Sequence, residues 1–181
     1  MDNNEIEMQN TTSEVKWNDE VRLIVSDVDE TIADNYTSAE PEMIKELTTL
    51  LGEGKVLFTE ANLPITPRLG GMWAIDFAIK GVNKTTAVKY VLNDEAVLQS
   101  LGLTPEDVRD PKKMEIWGDR FSTLRGGTDR HMCEALPKQV RAIDFREENP
   151  AEFPEGYNVV LWSRKQHVHN GLLEYLQSRH E

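Results

Sequence analysis

A single cysteine, Cys133, stands in a chain of 181 residues, so no intramolecular disulfide can form and packing alone must hold the fold. That usage fits a reducing cytoplasm. No histidine or second cysteine accompanies Cys133 at metal-ligating spacing, and it reads as an ordinary helix cysteine. Positive charge is scarce: 20 Lys and Arg against 32 Asp and Glu leave a net charge of −12. The deficit argues against a nucleic-acid or anionic membrane partner, because phosphate backbones need a basic face. Any phosphate binding must be local. No apolar run approaches the length of a bilayer span. The stretch Met1 to Glu20 has no apolar core of the signal-peptide kind and reads as a flexible tail over residues 1–19. The remaining residues, 20–181, suit one domain with a proper core.

What is present is a series of short apolar runs that end in carboxylates. Val21 to Ser26 predicts a buried strand, and Asp27-Val28-Asp29-Glu30-Thr31 follows it directly. Two carboxylates at a strand's C-terminal end oppose each other's ionisation, which suits a nucleophile beside a proton carrier. A turn with aspartate as former and threonine as cap is the structural alternative. A helix opens at Glu40 with the stripe Met43, Ile44, Leu47, Leu50 and Leu51, and a strand follows over Val56–Thr59. Leu63 to Gly71 reads as a turn-rich connector and Met72 to Lys80 as a short extended segment.

A long helix is expected over Lys84–Leu101, closed by Gly102, then a short one at Thr104. Strand Met114–Trp117, helix Asp129–Leu136, strands Val140–Phe145 and Val159–Trp162, and helix His167–Arg179 complete the chain. This order predicts an α/β fold, a three-layer α/β/α sandwich with a mostly parallel, Rossmann-like sheet. His167 and His169 lie two apart and read as surface residues. Trp73, Trp117 and Trp162 read as packing residues.

The motif Asp27-x-Asp29-x-Thr31 after a hydrophobic strand resembles the signature of the haloacid dehalogenase superfamily of phosphohydrolases. Lys55 to Thr59 resembles that family's second motif and Asn83-Lys84-Thr85-Thr86-Ala87-Val88 its third. Met114 to Asp119, followed by Gly126-Gly127-Thr128-Asp129, resembles the fourth. The motifs come in the family's order, and the nearest likeness is to its Cof-type and phosphomannomutase-like branch. By that resemblance Asp27 is the nucleophile, Asp29 the general acid and base, Thr59 a phosphoryl hydrogen-bond donor and Lys84 the cation beside both. Mg²⁺ is implied, held by Asp27, the Asp29 main-chain carbonyl and Asp119, with Asp129 either a direct ligand or the holder of a metal-bound water. The implied activity is phosphomonoester hydrolysis through an aspartyl-phosphate.

The chain departs from that pattern in three ways. Glu30 stands where glycine is common, the Asp119 to Asp129 spacer is long, and only residues 60–83 lie where the branch carries a cap domain. A capless core is therefore expected. The short segment counts against a phosphosugar mutase, and the retained carboxylates and lysine count against a catalytically degenerate binding module. The expected partner is a phosphorylated substrate whose identity the chain does not reveal, and a homo-oligomer whose neighbouring subunit covers the open site is a further partner consistent with the sequence.

Overall fold

A computed structural model describes residues 15–34, 37–59, 67–69, 75–77, 83–146 and 148–180, with the side chains of 58–59, 67–69 and 75–77 outside the description. The apolar runs form a five-stranded sheet. Its members are β1 (Leu23–Ser26), β2 (Val56–Thr59), β5 (Met114–Gly118), β6 (Arg141–Asp144) and β7 (Val159–Leu161). They lie in the order β2-β1-β5-β6-β7, and every pairing is parallel. The chain first goes outward from β1 to β2 and then returns to β1's other side with β5. Strand order therefore reverses between β1 and β5, where open α/β sheets leave a crevice at the strands' C-terminal ends. In register, Ser26 faces Thr59 on one side and Trp117 on the other, and Gly118 faces Asp144. The residues that follow these strands thus emerge on one edge.

Alternation along the strands divides the core in two. Leu23 and Val25 of β1, with Met114 and Ile116 of β5, pack under α2 (Lys84–Asn93), α3 (Glu95–Ser100) and α4 (Arg130–Cys133), through Val88, Leu98, Met132 and Cys133. Ile24 and Trp117 face the opposite way, toward α1 (Pro41–Gly52) and α5 (Val168–Gln177), through Met43, Leu50, Leu172, Tyr175 and Leu176. Helices on both faces of a parallel sheet make the three-layer α/β/α sandwich, and burial on both sides explains why the strands read as continuous apolar runs. Each fully buried leucine or methionine contributes about 1.5–3 kcal/mol. Trp117 and Trp162 are fully buried, as packing residues should be, and Cys133 is buried in α4, where burial pushes its thiol up to about 12. Trp73 lies outside the described residues.

A fully buried charge, Glu115, interrupts the second face. Glu115 accepts hydrogen bonds from Trp117 Nε1 at 2.6 Å, Arg141 Nε at 2.7 Å and Tyr175 Oη at 3.0 Å. Every donor is itself part of the sheet or of α5, so the carboxylate is fully satisfied where an unpaired one would be costly.

Several local expectations are corrected. The long helix breaks at Asp94, whose carboxylate accepts from Ala96 N and Val97 N at 3.0 and 3.1 Å and so starts α3. In α1 the buried positions are Met43, Glu46 and Leu50, while Ile44 and Leu51 are half exposed. Arg179 reaches Glu46 at 2.6 Å from beneath, which draws a charged residue inward and turns Ile44 outward.

Thr104 to Asp107 forms a reciprocally bonded turn rather than a helix. Part of the turn-rich connector pairs instead as β3 (Pro67–Leu69) with β4 (Ile75–Phe77), an antiparallel ribbon. Within the expected tail, Val15 is buried and Trp17 packs on Tyr175 at 5.2 Å between ring centroids, so Val15 onward belongs to the core. His167 and His169 are half-buried rather than on the surface. Among the described residues no helix is long and apolar enough to cross a membrane.

Candidate functional site

The edge created by the strand-order reversal collects the charged residues. Asp27 leaves β1 with its amide donating to Trp117 O at 3.1 Å, which extends the ladder and holds the aspartate over the β1–β5 crevice. Asn83 caps α2 by accepting from Thr86 N at 3.0 Å, and this stop places Lys84 in the first turn. From there Lys84 Nζ donates to Asp27 Oδ1 and, at 2.8 Å, to Asp129 Oδ1. Thr85 Oγ1 donates to His131 O at 2.6 Å and ties α2 to α4, which fixes the lysine against its second partner.

The long spacer between Asp119 and Asp129 closes on itself. Asp129 N donates to Arg120 O at 3.1 Å and Gly127 N to Ser122 O at 2.9 Å. Asp129 Oδ2 then accepts from the amides of Asp119 and Arg120, both at 2.9 Å. The fit is close enough that a Cβ on Gly118 would sit 2.6 Å from Asp129 Oδ2, so any larger residue there would displace the Asp129 carboxylate. Length in this spacer brings the two aspartates together rather than apart.

Asp27, Asp119 and Asp129 each offer a carboxylate oxygen, and these lie within 4.8 Å of one another. Exposed acidic groups commonly cluster without an ion, but Asp119 is not a surface group. It is 1% exposed, and its Oδ1 is buried with no partner among the described residues. Burial, then Asp129 and Asp27, push its carboxyl up to about 9, and burial followed by Asp129 push Asp27 up to about 6. Burial opposes the charge on Lys84, but Asp129 and Asp27 outweigh it and its pKa is raised. The donor set, all oxygen and with one buried oxygen unsatisfied, fits a hard divalent cation such as Mg²⁺.

The structure brings together Asp27, Lys84, Asp119 and Asp129 of the expected residues. Asp29 is not in the carboxylate cluster: its side chain is exposed, while Glu30 and Ala33 close the turn behind it. The carboxylate that presses on Asp27 is therefore Asp129 and not Asp29. Thr59 ends β2 opposite Ser26, but its side chain lies outside the description, as do Asn35 and Tyr36. Thr31 Oγ1 is buried without a partner among the described residues.

Two charged residues at this edge escaped the sequence reading. Arg146, just past β6, donates from Nε to Asp119 Oδ2 at 2.6 Å, and its Nη2 pairs with Glu30. The available signal was Asp144, a third aspartate ending an apolar run, which placed the next loop at the same edge. Asp144 accepts from Arg146 N and Glu148 N at 3.2 and 2.8 Å, and burial raises its carboxyl to about 7. The chain matches no known protein family and no curated protein.

Proposed function

We propose that the chain is a Mg²⁺-dependent phosphomonoester hydrolase of the haloacid dehalogenase type, acting through an aspartyl-phosphate on Asp27. One observation carries the reading: Lys84 bridges Asp27 and Asp129 beside an oxygen of Asp119 that has no partner among the described residues, at the sheet's reversal point. A lysine held by two carboxylates is a fixed positive charge, which a phosphoryl group needs and an acidic loop alone would repel.

Asp27, Asp119 and Asp129, with the Asp29 main-chain carbonyl, would hold the Mg²⁺. When bound, that ion neutralises phosphoryl charge and orients the phosphoryl oxygens. Asp129, occupied by two amides and Lys84, fits an anchoring role, while Asp119 keeps an oxygen for direct ligation. The Asp27 carboxylate attacks phosphorus, forming a carboxylate–phosphorus bond as the ester bond to the leaving oxygen breaks. Asp29, exposed two residues beyond Asp27, would give that oxygen its proton. Asp29 then takes a proton from water, which attacks the acyl-phosphate and releases inorganic phosphate, restoring Asp27. Lys84 neutralises charge throughout, and Thr59 would donate to a phosphoryl oxygen.

The test is hydrolysis of an aryl phosphate by the purified chain after EDTA treatment and after Mg²⁺ is restored. Turnover should vanish with EDTA and return with Mg²⁺. No hydrolysis at any Mg²⁺ concentration would remove the enzyme reading.

A further inference from the structure

We infer that Arg146, held by Glu30, is a positioning residue that aims Asp119 at the divalent cation. The inference rests on the reading of Asp27, Asp119 and Asp129 as that cation's site. Asp119 Oδ2 accepts a hydrogen bond from Arg146 Nε at 2.6 Å and lies in ion-pair contact with Nη2 of the same guanidinium at 2.5 Å, while Oδ1 receives no donor among the described residues. A carboxylate gripped at one oxygen has its other oxygen fixed in direction. The planar fork of arginine does this, whereas the point charge of a lysine would leave the group free to pivot.

The grip is built from three loops. Phe145 N donates to Gly118 O at 3.0 Å and sets the post-β6 loop against the end of β5. Asp144 pins the Arg146 amide at 3.2 Å. Glu30, from the post-β1 loop, completes the pair while holding φ at 59°, a left-handed conformation that non-glycine residues seldom adopt. The turn bond from Glu30 N to Ala33 O at 2.6 Å holds the backbone there and so fixes the position from which the side chain meets Arg146.

Two effects of the arginine oppose each other. Its positive charge repels a cation, while its hydrogen bonds preorganise a ligand. Arginine and cation use different oxygens of Asp119, so they are compatible, and orientation wins. Removing such an outer partner costs about 10–100-fold in metal affinity.

The measurement is Mg²⁺ binding by titration calorimetry on the full chain without substrate, for the parent, R146A, R146K and E30Q. Mg²⁺ activation of aryl phosphate turnover is measured beside it. R146A should weaken binding about tenfold or more, R146K should recover part of the loss, and E30Q should lose less than R146A. In turnover the change should appear in the Mg²⁺ activation constant more than in kcat. Unchanged binding in R146A overturns the inference, and tighter binding does too, since the arginine would then be a competitor. Should R146A fail to fold, unchanged binding in E30Q overturns it. If the parent binds no Mg²⁺, the functional reading falls and takes this inference with it; if the parent binds and the variants bind equally, only this inference falls.

Discussion

Asp27 is half-buried, pressed by Asp129 and neutralised by Lys84. Replacing it with asparagine removes the proposed nucleophile at nearly constant volume and relieves the like-charge contact. Asp27→Asn should therefore fold and show no measurable multiple turnover of an aryl phosphate; sustained turnover by a clean preparation would end the covalent mechanism. Asp119→Ala should raise the Mg²⁺ concentration needed for half-maximal rate by about tenfold or more, and an unchanged requirement would take Asp119 out of the ligand set. A pH effect belongs to Asp107, far from this chemistry. Thr104's amide, with its hydroxyl and the Lys113 ammonium, lowers the carboxyl from 3.8 to about 2. A depressed carboxyl stabilises the fold above its unfolded value and loses that contribution as pH falls through the folded one. The gap in urea midpoint between parent and Asp107→Asn should be constant above about pH 5 and close on the way to pH 2; a gap that widens there would show the sign to be wrong. Asp27, Lys84, Asp119 and Asp129 were legible because each sits at an element's end with a recognisable order. The pairing of Arg146 with Glu30 and Asp119 was not: Asp144 places the Arg146 loop at this edge, but a long-range ion pair leaves no spacing in the sequence.

Asp94 decides the course of the chain between Lys84 and Gly102. The apolar stripe is interrupted at Asn93 and Asp94 but resumes beyond them, with Val88 and Leu98 both buried, so periodicity alone still predicts one helix. A side-chain cap competes locally with helix continuation, and here it wins because the carboxylate satisfies two amides at once. Asp94→Ala should cost about 1 kcal/mol, read as a lower urea midpoint at constant slope. Equal midpoints would mean that the cap contributes nothing. In α1 the limit of the sequence is different. Which side of a broad stripe faces inward depends on Arg179, at the other end of the chain, meeting Glu46. Patterning shows that α1 has an apolar face but not its rotation.

At the scale of the whole molecule, the layers were legible in five apolar runs alternating with helical ones, whereas strand order was not, because nothing local says on which side of β1 a later strand will land. Between β2 and α2 the chain commits only residues 60–83, of which β3, β4 and Asn83 are described. So short a segment offers little remote binding energy, and specificity constants for a small sugar phosphate, a nucleotide and a phosphopeptide should differ little. Marked selectivity for one of them by a demonstrated monomer would contradict this. The strand order has a further consequence for the growing chain. β1 is synthesised early and pairs with β2 soon after, yet its other edge waits for Met114 to Gly118, after α2 and α3 have been made. Until then Leu23 to Ser26 presents unpaired amides and carbonyls beside bare apolar faces, a template for joining another chain. Any nascent chain or fragment that stops short of β5 therefore keeps a sticky flank on β1, and the molecule is safest from aggregation only once β1 is enclosed between β2 and β5.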